Sequence, residues 1–184
     1  MSVDKSTLLT IQKFIYLLDD FHYNEFASQL ESSGSALPFK LADAIRKKLP
    51  AFDTHEELCV KIYGTFKQKQ NFNQLSSYTF KLSYLLARNY PNYLHHNISL
   101  IERLVNDAEI EQADFRANCL LDIAEQVEDF QSLIYVLKFL SQQAFLTRNP
   151  TEGFKLNAQL EKAMESERIF NSIINHLRQT LYVH

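Results

Sequence analysis

Three features of the chain predict an all-α fold of about eight to nine helices. Apolar residues recur every three or four positions along most of its 184 residues. Only three glycines and four prolines are present, too few for the turns of a many-stranded sheet. Hydrophobic residues make up 46%, so a chain of this length can bury a core without a disulfide or metal staple. The expectation is one all-helical domain over 1–184, with short N-terminal helices in 1–70. Helix-pair repeats of about 39 residues then follow over 71–184, packed as antiparallel pairs in a short α-solenoid-like array.

Residues 6–18 read as a first helix capped by Ser6 or Thr7, with Leu8, Ile11, Ile15 and Leu18 on one side. Asp19 and Asp20 interrupt it. A short second helix over 23–32 stops at Gly34, and Pro38 suits the first turn of a third that runs to Lys48. Thr54 and Glu57 match a capping box, opening a helix that Gly64 weakens. Asn71 or Asn73 caps the next, whose Leu75, Tyr78, Leu82, Leu85 and Leu86 read as its inward face. Pro91 restarts the chain into a helix carrying Leu94, Ile98, Ile101, Leu104 and Val105.

The stretch from Phe115 to Leu146 is apolar on several helical faces, broken only at Glu128-Asp129, so it belongs in the middle of the structure. Leu121 is expected in its core, with Leu121→Ala costing about 2–5 kcal/mol. After it, Asn149-Pro150 opens one helix with Leu156, Leu160 and Ala163. A last helix carries a narrow stripe of Phe170, Ile173, Ile174, Leu177 and Leu181.

This half is internally duplicated. Phe115-Arg116-Ala117-Asn118-Cys119 aligns with Phe154-Lys155-Leu156-Asn157-Ala158, thirty-nine residues later. With one residue inserted, Phe130-Gln131-Ser132-Leu133-Ile134 aligns with Phe170-Asn171-Ser172-Ile173-Ile174, and Leu137-Lys138 with Leu177-Arg178. The duplicated two-helix units resemble tetratricopeptide-type or HEAT-type arrays, a resemblance that covers roughly the second half. It implies a curved surface presented to another protein. The first part, LDDFHYNEFASQLESS followed by LADAIRKKLPAFDTHEELCVKIYG, is similar to the start of uncharacterised bacterial helical proteins.

Candidate chemistry is sparse. Asp19, His22 and Glu25 stand three apart, but metal sites in helical bundles need a second matching motif and no Glu-x-x-His occurs. His95 and His96 point about 100° apart on a helix and cannot act as an i,i+4 pair. Three scattered glycines build no phosphate loop. Cys59 and Cys119 have no CxxC spacing and read as buried free thiols of a reducing compartment. No enzyme activity and no cofactor are expected. Without a run of signal-peptide or membrane-span length, the expected location is cytoplasmic.

Charge is the clearest polar signal. Residues 40–88 carry nine cations against four carboxylates, and 107–129 carry eight carboxylates against Arg116 alone. These features point to a non-catalytic protein- or peptide-binding helical module rather than to nucleic acid or membrane. Candidate binding residues are the cations Lys40, Arg46, Lys47 and Lys48, with Tyr84, Tyr90, Tyr93 and Tyr135 as aromatic anchors. The alternative is a DNA-binding regulator. The run Tyr63-Gly64-Thr65-Phe66-Lys67-Gln68-Lys69 resembles the segment after the recognition helix of tetracycline-repressor-type proteins.

Overall fold

The computed structural model describes residues 5–89 and 92–181. Among these residues the protein is all-α: nine α-helices and one 3-10 turn, with no strand. The helices are α1 (Lys5–Leu17), α2 (Asp20–Glu31), α3 (Ala36–Arg46), α4 (His55–Tyr63), α5 (Lys69–Asn89), α6 (Asn92–Asn106), α7 (Ile110–Val127), α8 (Phe130–Leu146) and α9 (Pro150–Leu181). The 3-10 turn, Phe66–Gln68, joins α4 to α5. The chain divides into two compact units, Met1–Asn97 and Ile98–His184, with the boundary inside α6.

In the first unit α1 packs against α3 and α5. Ile11, Phe14 and Ile15 of α1, Phe26 and Leu30 of α2, and Leu41 and Ile45 of α3 are fully buried. Phe14 and Phe26 meet edge to face with ring centres 5.5 Å apart, the arrangement their quadrupoles favour. The acidic pair after α1 does more than interrupt. Asp19 is the N-cap of α2, its Oδ1 accepting the His22 N–H at 2.8 Å, so α2 begins earlier than its apolar spacing suggests. Thr54 and Glu57 form the capping box of α4, and Gly64 ends that helix in the left-handed region at φ 73°, where a Cβ would be strained.

α5 keeps part of its expected face, with Leu75 and Leu86 buried, and departs from the rest. Tyr78 and Leu85 are exposed, whereas Phe72, Ser76, Thr79, Ser83, Leu86 and Ala87 are buried. Small hydroxyl residues allow close approach of the neighbouring helices, and two of them, Thr79 and Ser83, bond back within α5. Thr79 Oγ1 donates to the Leu75 carbonyl at 2.9 Å, and Ser83 Oγ to the Thr79 carbonyl at 3.0 Å. Burial by shape has overridden burial by hydropathy.

The second unit is built on repeated turns. Ala108, Glu128 and Arg148 are its three positive-φ residues, at 60°, 60° and 61°, and they stand twenty residues apart. Each ends a helix with the same bond. The N–H of Glu109, Asp129 and Asn149 donates to the carbonyl five residues back, at 2.8, 3.0 and 2.8 Å, as in a Schellman motif. Asp129 and Asn149 then cap the following helices through Oδ1. Such short turns fold α8 back on α7 and α9 back on α8.

Where the fourth turn would fall, at Arg168, the helix runs on. The expected two C-terminal helices are one, 32 residues long. The position after Arg168 is Ile169, which has no side-chain oxygen to cap a new helix. Arg168 instead pairs with Glu165 on the same helix, through Nε at 3.0 Å and Nη2 at 2.8 Å, an i,i+3 contact that favours continuation.

Within this unit Ala117, Leu120 and Ala124 of α7 and Val136 and Leu137 of α8 are buried, as are Leu156 and Ala163 of α9. Leu121 is only half-buried. The core position is its neighbour Leu120, which is fully buried. Ser141 Oγ on α8 donates to Asn157 Oδ1 on α9 at 2.6 Å, tying the two helices by a part-buried bond. Gly153 lies against the Phe145 ring, 2.8 Å from where a Cβ would stand, which accounts for a helix-weakening residue in the first turns of α9.

Candidate interaction surfaces

The cations expected as a binding patch are drawn into the first unit. Arg46 Nη1 donates to the carbonyls of Leu18 at 2.8 Å and Ile15 at 3.2 Å, closing the C-terminal end of α1, and Nη2 reaches Asp20 at 2.7 Å. The guanidinium also lies over the Tyr23 ring, 4.9 Å from its centre. Asn97 completes the same helix end by donating to the Leu17 carbonyl at 3.0 Å. Lys48 and Lys61 both hydrogen-bond the carboxylate of Asp53, whose side chain is 1% exposed. Lys47 pairs with Asp43 one turn back on α3 at 2.7 Å. Lys40 is exposed on α3.

Asp53 is the most tightly held charge in this unit. Burial raises its pKa, but hydrogen bonds from Lys48 and Lys61 outweigh that and hold it below the ordinary aspartate value. Its backbone is held too. Gln12 Nε2 donates to its carbonyl at 3.0 Å, and its N–H donates to Gln12 Oε1 at 2.7 Å. This network joins α1, α3 and α4 through the loop before α4.

The two candidate tyrosines whose side chains are described, Tyr84 and Tyr135, belong to different units. Tyr84 is half-buried on α5, beside Phe80. Tyr135 is half-buried on α8 in the other unit, its phenol pushed up to about 12 by burial and the Glu102 carboxylate. Tyr90 lies outside the described residues, as does the side chain of Tyr93. The repressor-like run forms the end of α4, the 3-10 turn and the start of α5, with Phe66 exposed and Lys69 Nζ 5.7 Å from its ring centre.

Asp19 lies between two imidazoles, His22 Nδ1 at 2.8 Å and His96 Nε2 at 3.9 Å. Burial raises its pKa, and the His22 N–H and the two rings outweigh it, for a net lowering. Glu25 brings no third ligand. Among the described residues no cluster of three or more His, Cys, Asp or Glu is placed to hold a metal ion. Cys59 and Cys119 are buried and form no disulfide, and burial pushes the Cys59 thiol up, away from nucleophile activation. Among the described residues no helix is long and apolar enough to cross a membrane.

The feature with most reach lies in the second unit, on the distal half of α9. α8 has 17 residues and α9 has 32, so α9 runs past its neighbour, and its eleven residues after Phe170 span roughly 16 Å. Phe130, at the start of α8, meets Phe170 with ring centres 6.0 Å apart, and this marks where cover ends. Leu156, Leu160 and Ala163 lead the stripe under cover. The same four-three spacing continues through Phe170, Ile174 and Leu177, a heptad seam. Phe170, Ile173 and Leu177 are 52%, 53% and 52% exposed. The opposite side of this segment is polar, a shallow groove lined by Arg168, Asn171, Ser172, Asn175, His176 and Gln179. This is the narrow stripe that the apolar spacing assigns to a last helix, and the structure leaves it half exposed.

No protein-family model, curated protein or solved structure matches the chain.

Proposed function

We propose that the chain is a non-catalytic helical module that binds a protein or peptide, and that the distal half of α9 is its docking surface. One observation carries the reading: an ordered amphipathic helix extends beyond its neighbour with large apolar side chains half exposed at heptad spacing. Such a face is the usual substrate of helix-against-helix recognition. The duplicated sequence adds support, since residues 170–178 match the part of α8 that packs between two helices. A helix-pair, solenoid-like array in a cytoplasmic setting is part of the same reading, and the lack of a disulfide at Cys59 and Cys119 fits a reducing compartment.

The test is capture from nuclease-treated lysate with wild-type protein and with Leu177→Glu and Phe170→Glu. Both positions are about half exposed, and Phe170 also touches Phe130, so helicity equal to wild type is measured first for each variant. Specific protein enrichment that both variants lose is the expected result. Enrichment unchanged in both variants would remove α9 as the surface. Nuclease-sensitive DNA in place of protein would favour the regulator reading instead.

A further inference from the structure

We infer that the occupant of the distal α9 face is a second copy of this chain, through an antiparallel, two-fold pairing of the two α9 overhangs. This rests on the docking role proposed above and names its partner. Three observations bear on it. The seam is self-complementary: a register that sets Ile174 of one copy opposite Leu177 of its partner repeats the contact by symmetry, as a two-fold interface requires. That register keeps Glu167, the one charged residue at a seam position, out of the paired segment.

Charge supplies the second argument. From Arg168 onward the chain has two arginines and no carboxylate, whereas residues 117–137 hold Asp122, Glu125, Glu128 and Asp129 and no Lys or Arg. The α7–α8 turn carrying Glu128 and Asp129 adjoins Phe170, as the Phe130–Phe170 contact shows. An antiparallel partner therefore brings its Arg178 end alongside the other copy's acidic turn, twice. A parallel pair would align arginine with arginine and leave both acidic turns unmatched.

The fourth turn is also lost. Residues 170–178 match part of α8, which folds back on α7, but α9 runs unbroken through Arg168 and Ile169, so they do not fold back on their own helix. Packing of the kind α8 receives must then come from outside the chain. About two heptads per copy give an interface near the lower size limit for a specific one, so a dimer in the micromolar range is expected.

Sedimentation velocity from about 1 to about 200 µM tests this. Wild type should shift from monomer to dimer with rising concentration, and Leu177→Glu should remain monomeric with unchanged helicity. Ile174→Cys mixed with Leu177→Cys should form a disulfide-linked pair faster than Ile174→Cys alone; the native thiols are buried and stay out of it. A wild type monomeric throughout the range, or a dimer untouched by Leu177→Glu, overturns the inference. Faster linkage of Ile174→Cys to itself overturns the antiparallel geometry. If the purified chain is monomeric yet a foreign protein is captured and lost in Leu177→Glu, self-pairing fails while the docking role stands.

Discussion

Gln12 and Asp53, forty-one residues apart, exchange two hydrogen bonds in which a side-chain amide reads a loop's backbone: 3.0 Å to the carbonyl and 2.7 Å from the N–H. Both residues are buried. Gln12→Leu removes both partners at once and leaves a buried N–H and C=O without them, a loss of about 1–3 kcal/mol. Urea denaturation should show a lower midpoint with little change in slope, and a loss below about 0.5 kcal/mol would mean that the loop finds other partners.

Asp53 gives the first unit an acid limb. Its folded pKa is depressed, so its contribution is fully present above the unfolded aspartate value of about 3.9 and is lost as pH falls through the lower folded value. Asp53→Asn should cost about 1–3 kcal/mol at neutral pH, because Lys48 and Lys61 lose their acceptor but are exposed enough to regain water. Below pH about 4 the wild-type and variant stabilities should converge. Parallel curves across that window would show that the carboxylate is not the titrating group.

Leu120 and Leu121 separate the two faces of α7. Leu120→Ala should cost about 2–5 kcal/mol as a core truncation, and Leu121→Ala about 1 kcal/mol, since its side chain is already part solvated. Equal losses in thermal or urea melts would contradict this assignment.

The left-handed turn residues can be relieved. Glu128→Gly and Arg148→Gly should each stabilise by up to about 1 kcal/mol, because glycine carries no Cβ penalty there and its extra unfolded entropy offsets only part of the gain. Conversely, Arg168→Gly with Ile169→Asp supplies at the fourth site a residue suited to positive φ and the side-chain cap that Asp129 and Asn149 provide. Amide exchange across 167–172 should then accelerate, and no change would mean that the cap is not what distinguishes this site.

The helices of both units were legible where local chemistry is explicit. The Thr54–Glu57 box and the Gly64 stop stand where the residues put them. Three features were hidden for physical reasons. The Schellman turns at Ala108, Glu128 and Arg148 use no glycine, so the strongest helix-stop signal is missing from all three. The buried face of α5 runs through Ser76, Thr79 and Ser83, whose hydroxyls satisfy themselves or pack close, and hydropathy counts them as solvent-facing. Arg46 looks like surface charge in a row of cations, yet its partners lie at the end of α1 and the start of α2. An Arg that closes a distant helix end leaves no local trace.

The distal stripe was visible, but its exposure was not. Phe170, Ile173, Ile174 and Leu177 form the same pattern whether a neighbour covers them or not, and only the uninterrupted passage through Arg168 carries them past Phe130.

The central claim is that this stripe exists to be covered by another helix. Hydrogen exchange of the α9 amides from Ile169 to Arg178, measured at low and high protein concentration, addresses it most directly. Protection that rises several-fold with concentration in wild type, and stays flat in Leu177→Glu, is the expected result. Fast exchange at every concentration, identical in the two proteins, would contradict pairing through this face.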